Sequence, residues 1–402
     1  MDALPPPDAA GRARSRAAAA SAGEVVLTDA LLVLPGEVAR GTVVLRDGRI
    51  AEVAPGEGSR LPGAVSLDGD HLIPGAVDIH TDNLERQAMP RPGARWPSRS
   101  ALIAHDAQTA AAGVTTVLDA LCVGDIGFEA ARERTFREGA ADLLALHGTG
   151  LLRADHLLHL RCELPAPGML PLLEPVAEHP LLRMVSLMDH SPGVGQFTDL
   201  PRYRRMQARD GRTEAEIEAM VAHLTEQRLA WSPRNRAALL DRYAGRPGIP
   251  LASHDDWDAE VVAANARDGV TVSEFPVNEA AARAARAHGL AVAMGAPNLV
   301  RGGSHSGNVA VSRLASLGLV DLLASDYVPS GMIEGAWRAA RDGLAPLPAA
   351  VAWITDAPAR VLALHDRGRI EVGLRADLAR VATTEDGLPV VRAVWRAGER
   401  VA

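Results

Sequence analysis

The middle of the sequence repeats one alternation eight times, and that repeat restricts the fold more than any other feature. The apolar, strand-like runs are Val77–His80, Thr115–Val123, Leu157–Leu164, Leu182–Met188, Ile249–Ser253, Val270–Phe275, Ala291–Gly295 and Val320–Ser325. Ala-rich runs of helical character separate most of them, among them Ala101–Ala112, Phe128–Leu146, Glu279–His288 and Asn308–Leu317. Strands that alternate with helices pair in parallel through crossovers. Eight such units predict an α/β fold, a (β/α)8 TIM-like barrel over 76–364. A doubly wound sheet is the alternative, but no Gly-x-Gly-x-x-Gly follows the first run.

The flanks read differently. Glu24–Leu67 carries short β-like runs with turn signals such as Asp47-Gly48 between them, and Gly368–Leu378 and Val390–Val401 look alike. Neither flank is long enough to be stable alone. The expectation is one small, discontinuous β-sandwich from 23–75 plus 365–402. Met1–Ala22, rich in Pro, Ala and Arg, lacks the apolar centre of a signal peptide and reads as a disordered leader. One connection is too long for a barrel, the insertion 191–248. Within it Thr213-Glu214-Ala215-Glu216 is a capping-box pattern that predicts an amphipathic helix to about Arg228. The insertion is either a lid over the strand ends or a surface excursion that serves oligomer contacts.

All 42 basic residues are arginine. Without lysine there is no Walker A loop, no Schiff base and no carboxylated lysine bridging two metals. A net charge of −8 argues against a general nucleic-acid binder. No run approaches the roughly 20 apolar residues of a membrane span. Cys122 and Cys162 sit in apolar runs and read as buried thiols, which fits a reducing cytoplasm.

Barrel enzymes place their chemistry at the C-terminal ends of the strands. His80 and Asp82 end the first run, Glu163 is outermost on the third, and His190 follows the fourth. His254 follows the fifth, Glu274 ends the sixth, and Asp326 follows the eighth. Imidazole and carboxylate together suit a borderline divalent ion. The assignment is one or two ions, with zinc expected first and manganese or iron as alternatives. His80 and Asp82 hold one ion, His190 and His254 complete the second, and Glu163 is the expected bridge. Asp326 either binds metal or takes the proton from a water whose pKa the metal lowers from about 15.7 toward about 7.

Leu72-Ile73-Pro74-Gly75-Ala76-Val77-Asp78-Ile79-His80, then Ala111-Ala112-Gly113-Val114-Thr115-Thr116, and the closing Gly368-x-Ile370-x-x-Gly373-x-x-Ala376-Asp377-Leu378 resemble the amidohydrolase superfamily. The resemblance spans the chain from about Glu24 to its end. His80-Thr81-Asp82 departs from the usual His-x-His of that superfamily. Further stretches are similar to the diphosphatases of the carbon–phosphorus lyase pathway. These are His80–Arg86, Met89–Gly93, Ala104–Gln108, Leu160–Glu163, Ser186–Gln196, Gly295–Asn308 and Ser325–Tyr327. That resemblance implies metal-dependent hydrolysis of a phosphorylated sugar, α-D-ribose 1-methylphosphonate 5-triphosphate, to the 5-phosphate and pyrophosphate.

Under that expectation Arg86, Arg91, Arg161 and Arg301 meet phosphate charge, and the loop with Gly303 and Ser304 offers backbone N–H groups. His305 contacts phosphate or protonates the leaving pyrophosphate. Arg202, Arg204 and Arg205 read as a solvated face rather than a clamp. Two rival readings stand beside this one: hydrolysis of a C–N bond, and a non-catalytic scaffold.

Overall fold

A computed structural model of the chain describes residues 23–56, 63–126, 130–304 and 306–402. The leader expected over 1–22 and His305 lie outside the described residues.

All eight expected barrel strands form. In order they are Ala76–Thr81, Val114–Val123, Asp155–Glu163, Leu182–Met188, Leu251–His254, Val272–Glu274, Ala291–Gly295 and Leu322–Ala324, called barrel strands 1 to 8 below. They pair in parallel and in sequence order as one sheet. The seam between strands 8 and 1 is joined by a single bridge, Thr81 to Asp326. There Asp326 N donates to His80 O at 3.0 Å and Asp82 N donates to Asp326 O at 2.6 Å.

The packing follows from the strand alternation. Val77, Ile79, Leu118, Met184, Ala252, Val272, Ala293, Leu322 and Ala324 belong to one buried cluster in the barrel interior. The other faces join a larger cluster with the helices, in which Leu102, Phe136, Leu143, Leu314 and Ile333 take part. The alternation breaks once where it matters. The register of strand 1 against strand 2 shifts between Asp78 and Thr81. Irregularities of this kind re-aim side chains. Ile79 remains in the interior cluster while His80 turns to Glu274 of strand 6.

The two flanks combine, as expected, into a β unit. It is a single mixed eight-stranded sheet that curls over its own core. His71–Pro74 is the splice: it lies parallel to Val25–Leu34 and antiparallel to Leu378–Thr383. Leu27, Leu32, Leu45, Ile50, Leu72, Leu378 and Trp395 fill that core. Asp155, at the start of barrel strand 3, ties the unit to the barrel through Arg367 at 3.0 Å, Arg396 at 3.2 Å and Arg375. Gly75 joins the two; a Cβ there would collide with Thr115.

The insertion contains helices Leu200–Arg209 and Glu214–Tyr243. The capping box at Thr213 and Glu216 forms. The second helix, however, runs past Arg228 and through Pro233 to Tyr243. A proline normally ends or kinks a helix. Here packing beyond it outweighs that preference. Leu239 and Tyr243 are fully buried, Asn235 Nδ2 donates to Leu164 O at 2.8 Å, and the Tyr243 hydroxyl donates to Ala177 O at 3.0 Å.

Candidate functional site

A cavity of about 610 Å³ opens at the C-terminal ends of the barrel strands. Its floor is a set of histidines and carboxylates contributed strand by strand. Strand 1 supplies His80 and, just beyond it, Asp82. Strand 5 ends in His254, followed by Asp255; Asp326 follows strand 8. His190 reaches in from the turn after strand 4.

The geometry separates these groups into a centre and its supports. Glu274, the last residue of strand 6 and fully buried, spans two imidazoles: its Oε1 is 3.0 Å from His80 Nδ1 and its Oε2 is 3.4 Å from His254 Nδ1. Ser186 Oγ donates to Glu274 Oε2 at 2.6 Å. His80 and His254 stack with ring centroids 5.7 Å apart, and Phe275 packs edge-on against both. Asp82 Oδ1 lies 3.6 Å from His80 Nε2 and accepts a 2.5 Å bond from Arg161. Three groupings here bring ligand atoms within 4.8 Å of one another: His80 with His254 and Glu274, His190 with His254 and Asp255, and His80 with Asp82 and Asp326.

Glu163 does not take the bridging place expected of it. Its two oxygens accept from His190, one from the ring at 2.7 Å and one from the backbone N–H at 2.8 Å. It orients His190, and Glu274 is the carboxylate between two imidazoles.

The electrostatics of these groups favour a cation among them. Burial alone would lower the His80 imidazole, but the Glu274 and Asp82 carboxylates prevail and raise it to about 10. Burial and then the Asp82 carboxylate raise Asp326 above the usual carboxylate range. Burial works to raise Glu274 too, yet His80 and His159 hold it well below that range. Buried carboxylates in excess of their donors need a cation. A proton on His80 answers that demand with one charge; a divalent ion answers it with two. The donor set, two imidazoles with up to three carboxylates, suits such an ion.

The backbone is strained at these positions. Asp255, Phe275 and Asp326, each following a strand end, have φ of 54°, 54° and 56°. For residues other than glycine this left-handed region costs roughly 1–2 kcal/mol each. Strain of this kind persists where surroundings over-determine it, commonly at functional sites.

Of the arginines expected at phosphate, Arg161 and Arg301 line the cavity, together with Ser304. Arg86 lies outside it, exposed, and donates to Tyr327 O at 2.9 Å. Arg91 is exposed in a turn bridged to Ala94, also away from the lining. Gly303 N–H is taken by Asn298 O at 2.8 Å, so it does not offer itself to a ligand. Sequence reasoning gave no role to Glu274, which the structure sets between two imidazoles, nor to Asp255 and Arg132, which line the cavity, the latter from the helix Ala130–Leu146. Glu274 had a readable signal, since it ends a strand as Glu163 does. Arg132 had none, because no helix periodicity tells which barrel helix leans over the strand ends.

No family model matches the chain. Its fold is shared by solved structures of low identity. A 5-methylcytosine deaminase from Klebsiella pneumoniae has a TM-score of 0.62 at 16% identity, covering 94% of this chain and 98% of that one. An N-acetyl-D-glucosamine-6-phosphate deacetylase from Mycobacterium smegmatis has a TM-score of 0.60 at 18% identity, covering 94% and 100%. These likenesses show the fold, a parallel barrel with a β unit built from both flanks of the chain. A curated relative is far nearer in sequence: the alpha-D-ribose 1-methylphosphonate 5-triphosphate diphosphatase of Escherichia coli (strain K12) is 42% identical over 380 residues, 94% of this chain and 100% of that protein. At that identity and coverage, the chain belongs to the alpha-D-ribose 1-methylphosphonate 5-triphosphate diphosphatase family.

Proposed function

We propose that the protein hydrolyses α-D-ribose 1-methylphosphonate 5-triphosphate to the 5-phosphate and pyrophosphate with the help of one or two divalent ions. The observation that carries this reading is a single cavity with an acidic, ligand-rich floor and arginine walls. His80, His254 and Glu274 meet there with Asp82 and Asp326, and Arg132, Arg161 and Arg301 face the same space. Cleavage of a phosphoanhydride needs little covalent chemistry from the protein; it needs positioning and neutralisation of charge.

His80, His254, Glu274, Asp82 and Asp326 would hold the metal, zinc by donor type with manganese or iron also compatible. When bound, a divalent ion supplies Lewis-acid polarisation of a phosphoryl oxygen. Asp326, raised by its burial, is suited to hold a proton taken from the attacking water. Arg161 keeps Asp82 ionised and in place. Arg301, 3.5 Å from the Tyr327 hydroxyl, and Ser304 stand at the rim, where the polyphosphate would extend. Phe275 and Phe197 line the same cavity, and Phe275 packs edge-on against His80 and His254. Both cysteines are free and buried, consistent with work in a reducing compartment. Among the described residues, no helix is long and apolar enough to cross a membrane.

The test is incubation of metal-loaded protein with the triphosphate, followed by phosphorus NMR. Pyrophosphate and the 5-phosphate appearing together are expected. Stepwise orthophosphate release would overturn the position of attack, and no turnover by metal-filled protein would overturn the reading in favour of C–N bond hydrolysis.

A further inference from the structure

A second cavity, of about 720 Å³, adjoins the first and shares Gln196, Phe197 and Ser306 with it. Its wall is the insertion helix Leu200–Arg209, which turns Arg202, Arg205 and Arg209 toward the space. Sequence reasoning sets Arg202, Arg204 and Arg205 on a solvated face, and Arg204, Arg205 and Arg209 are exposed. Arg202, Arg205 and Arg209 also line this cavity beside the strand-end site. Arg202, Arg205 and Arg209 form no ion pair with a carboxylate among the described residues, whereas most arginines of this chain do. Asp199 lines the cavity as well, but its carboxylate is engaged as the helix cap, accepting from Arg202 N at 2.9 Å.

Two further observations indicate that the cavity is built for a ligand. Tyr203, 2% exposed, lines it, and the buried Tyr203 hydroxyl has no hydrogen-bond partner. A buried hydroxyl left unpaired keeps the full cost of its desolvation, so such groups are rare unless something arrives to satisfy them. The Gly-rich loop is also fitted to the arginines. Gly307 has a φ of +72°, and a Cβ there would collide with the Arg202 guanidinium. Loop and helix are thus in contact across the mouth between the two cavities.

We propose that this arginine cavity is a second anion subsite of the active site, in which Arg202, Arg205, Arg209 and the Tyr203 hydroxyl bind a phosphorus oxyanion at one end of the substrate. The inference rests on the proposed reaction for its choice of substrate. A molecule attacked at the phosphorus nearest the sugar must extend from the metal-ligand floor in two directions. Both of its ends are tetrahedral phosphorus oxyanions: the outer phosphates and the methylphosphonate. Guanidinium forks with one hydroxyl donor suit either, since both present acceptor oxygens only.

Calorimetric titration of the metal-loaded protein with inorganic pyrophosphate and, separately, with methylphosphonate tests this without requiring turnover. The variants are R205Q, R209Q and the combined R202Q/R205Q/R209Q, with Tyr203→Phe as a substitution that removes only the hydroxyl. Each single arginine variant should weaken binding of one probe by about tenfold, and the triple variant by more. Loss confined to pyrophosphate assigns the subsite to the outer phosphates; loss confined to methylphosphonate assigns it to the other end. Y203F should weaken the same probe several-fold and leave thermal stability equal or higher, whereas a merely structural tyrosine would change stability alone. With substrate, KM should rise by about tenfold while kcat changes little, the mark of binding made equally in ground and transition states. Unchanged affinity for both probes in the triple variant overturns the inference. If both probes depend on the arginines but the triphosphate is not hydrolysed, the proposed reaction falls and the subsite stands.

Discussion

His80, His254 and Glu274 form one buried group of histidine and carboxylate; His105, Asp119 and His156 form another. The residue types match, but the two groups differ in what remains unpaired. In the second, His105 Nε2 donates to Asp119 Oδ1 at 2.8 Å, and its Nδ1 accepts from Asn83 Nδ2 at 2.8 Å. His156 donates from both nitrogens, to Asp119 at 2.8 Å and to Asp106 at 3.3 Å. Asp106 Oδ1 also accepts from the Arg153 and Ala154 backbones at 2.8 and 2.9 Å. His156 is a cation between two carboxylates, behind the barrel wall that strands 2 and 3 form with the helix Ser98–Ala111. In the first group Glu274 takes the Nδ1 side of both imidazoles, while His80 and His254 line a cavity together with the neighbouring carboxylates Asp82, Asp255 and Asp326. A cluster whose imidazole nitrogens and shared carboxylate, Asp119, are all paired holds the wall together, while one whose imidazoles and neighbouring carboxylates face a cavity is a place for chemistry.

The sharpest way to break that comparison is to remove a carboxylate from each group. Glu274→Gln should strip the metal and lower hydrolysis by about 10³-fold or more, with unfolding free energy within about 1 kcal/mol of the parent. Asp119→Asn should do the reverse. It leaves His156 without a full partner and should cost about 3–5 kcal/mol, with metal per folded molecule unchanged. Metal analysis and urea titration read both; a D119N protein that folds normally but loses its metal would invert the assignment.

Acid and base act on the wall group in a defined direction. Burial would lower the His156 imidazole, but Asp119 and Asp106 raise it to about 9. A raised imidazole stabilises fully below its ordinary value of about 6.5, and that contribution is lost as pH rises through about 9. Asp119, held below the usual range by His156 and His105 against its burial, stabilises above about 3.9, and its share is lost on acidification. Urea midpoints should therefore fall from pH 6.5 to 9.5 in the parent and stay flatter in His156→Gln. A parallel fall in both proteins would remove His156 as the cause.

The smallest expected effect lies at the link between the groups. Asn83 follows Asp82 in the chain and donates to His105 and, at 3.0 Å, to Gln108. Asn83→Ala should cost about 1 kcal/mol of stability and reduce turnover by less than about tenfold. No change in either would mean that the two groups are independent.

These contrasts also explain what the sequence made legible. The barrel could be read because each strand is a short apolar run with punctuation on either side, and each run is long enough to show it. The candidate site was legible where a histidine or carboxylate ends or follows such a run, as His80, His254 and Asp326 do, all three lining the cavity. Glu274 was passed over because strand 6 is only three residues, Val272–Glu274, and alternation alone does not tell which of two terminal glutamates faces inward. Glu163 had the better-marked strand and the wrong neighbour, His190. The wall group was invisible because His105, Asp119 and His156 meet only after a helix is laid across two strands. The insertion arginines read as solvated, as Arg204 and Arg205 are; that Arg202 packs against Gly307 depends on a loop far along the chain and was not legible.

The seam of the barrel has a consequence for how the molecule comes into being. Asp326 is clasped to His80 and Asp82 by its backbone, and Ser325 N donates to Asp78 Oδ1 at 3.0 Å across 247 residues of sequence. Contacts that distant form late and slowly. The strand carrying Asp326 leaves the ribosome long after His80, and the sheet begun by Val25–Leu34 still lacks Leu378–Thr383 at that moment. A nascent chain therefore carries His80, Asp82, His254 and Glu274 well before Asp326 can join them across the seam.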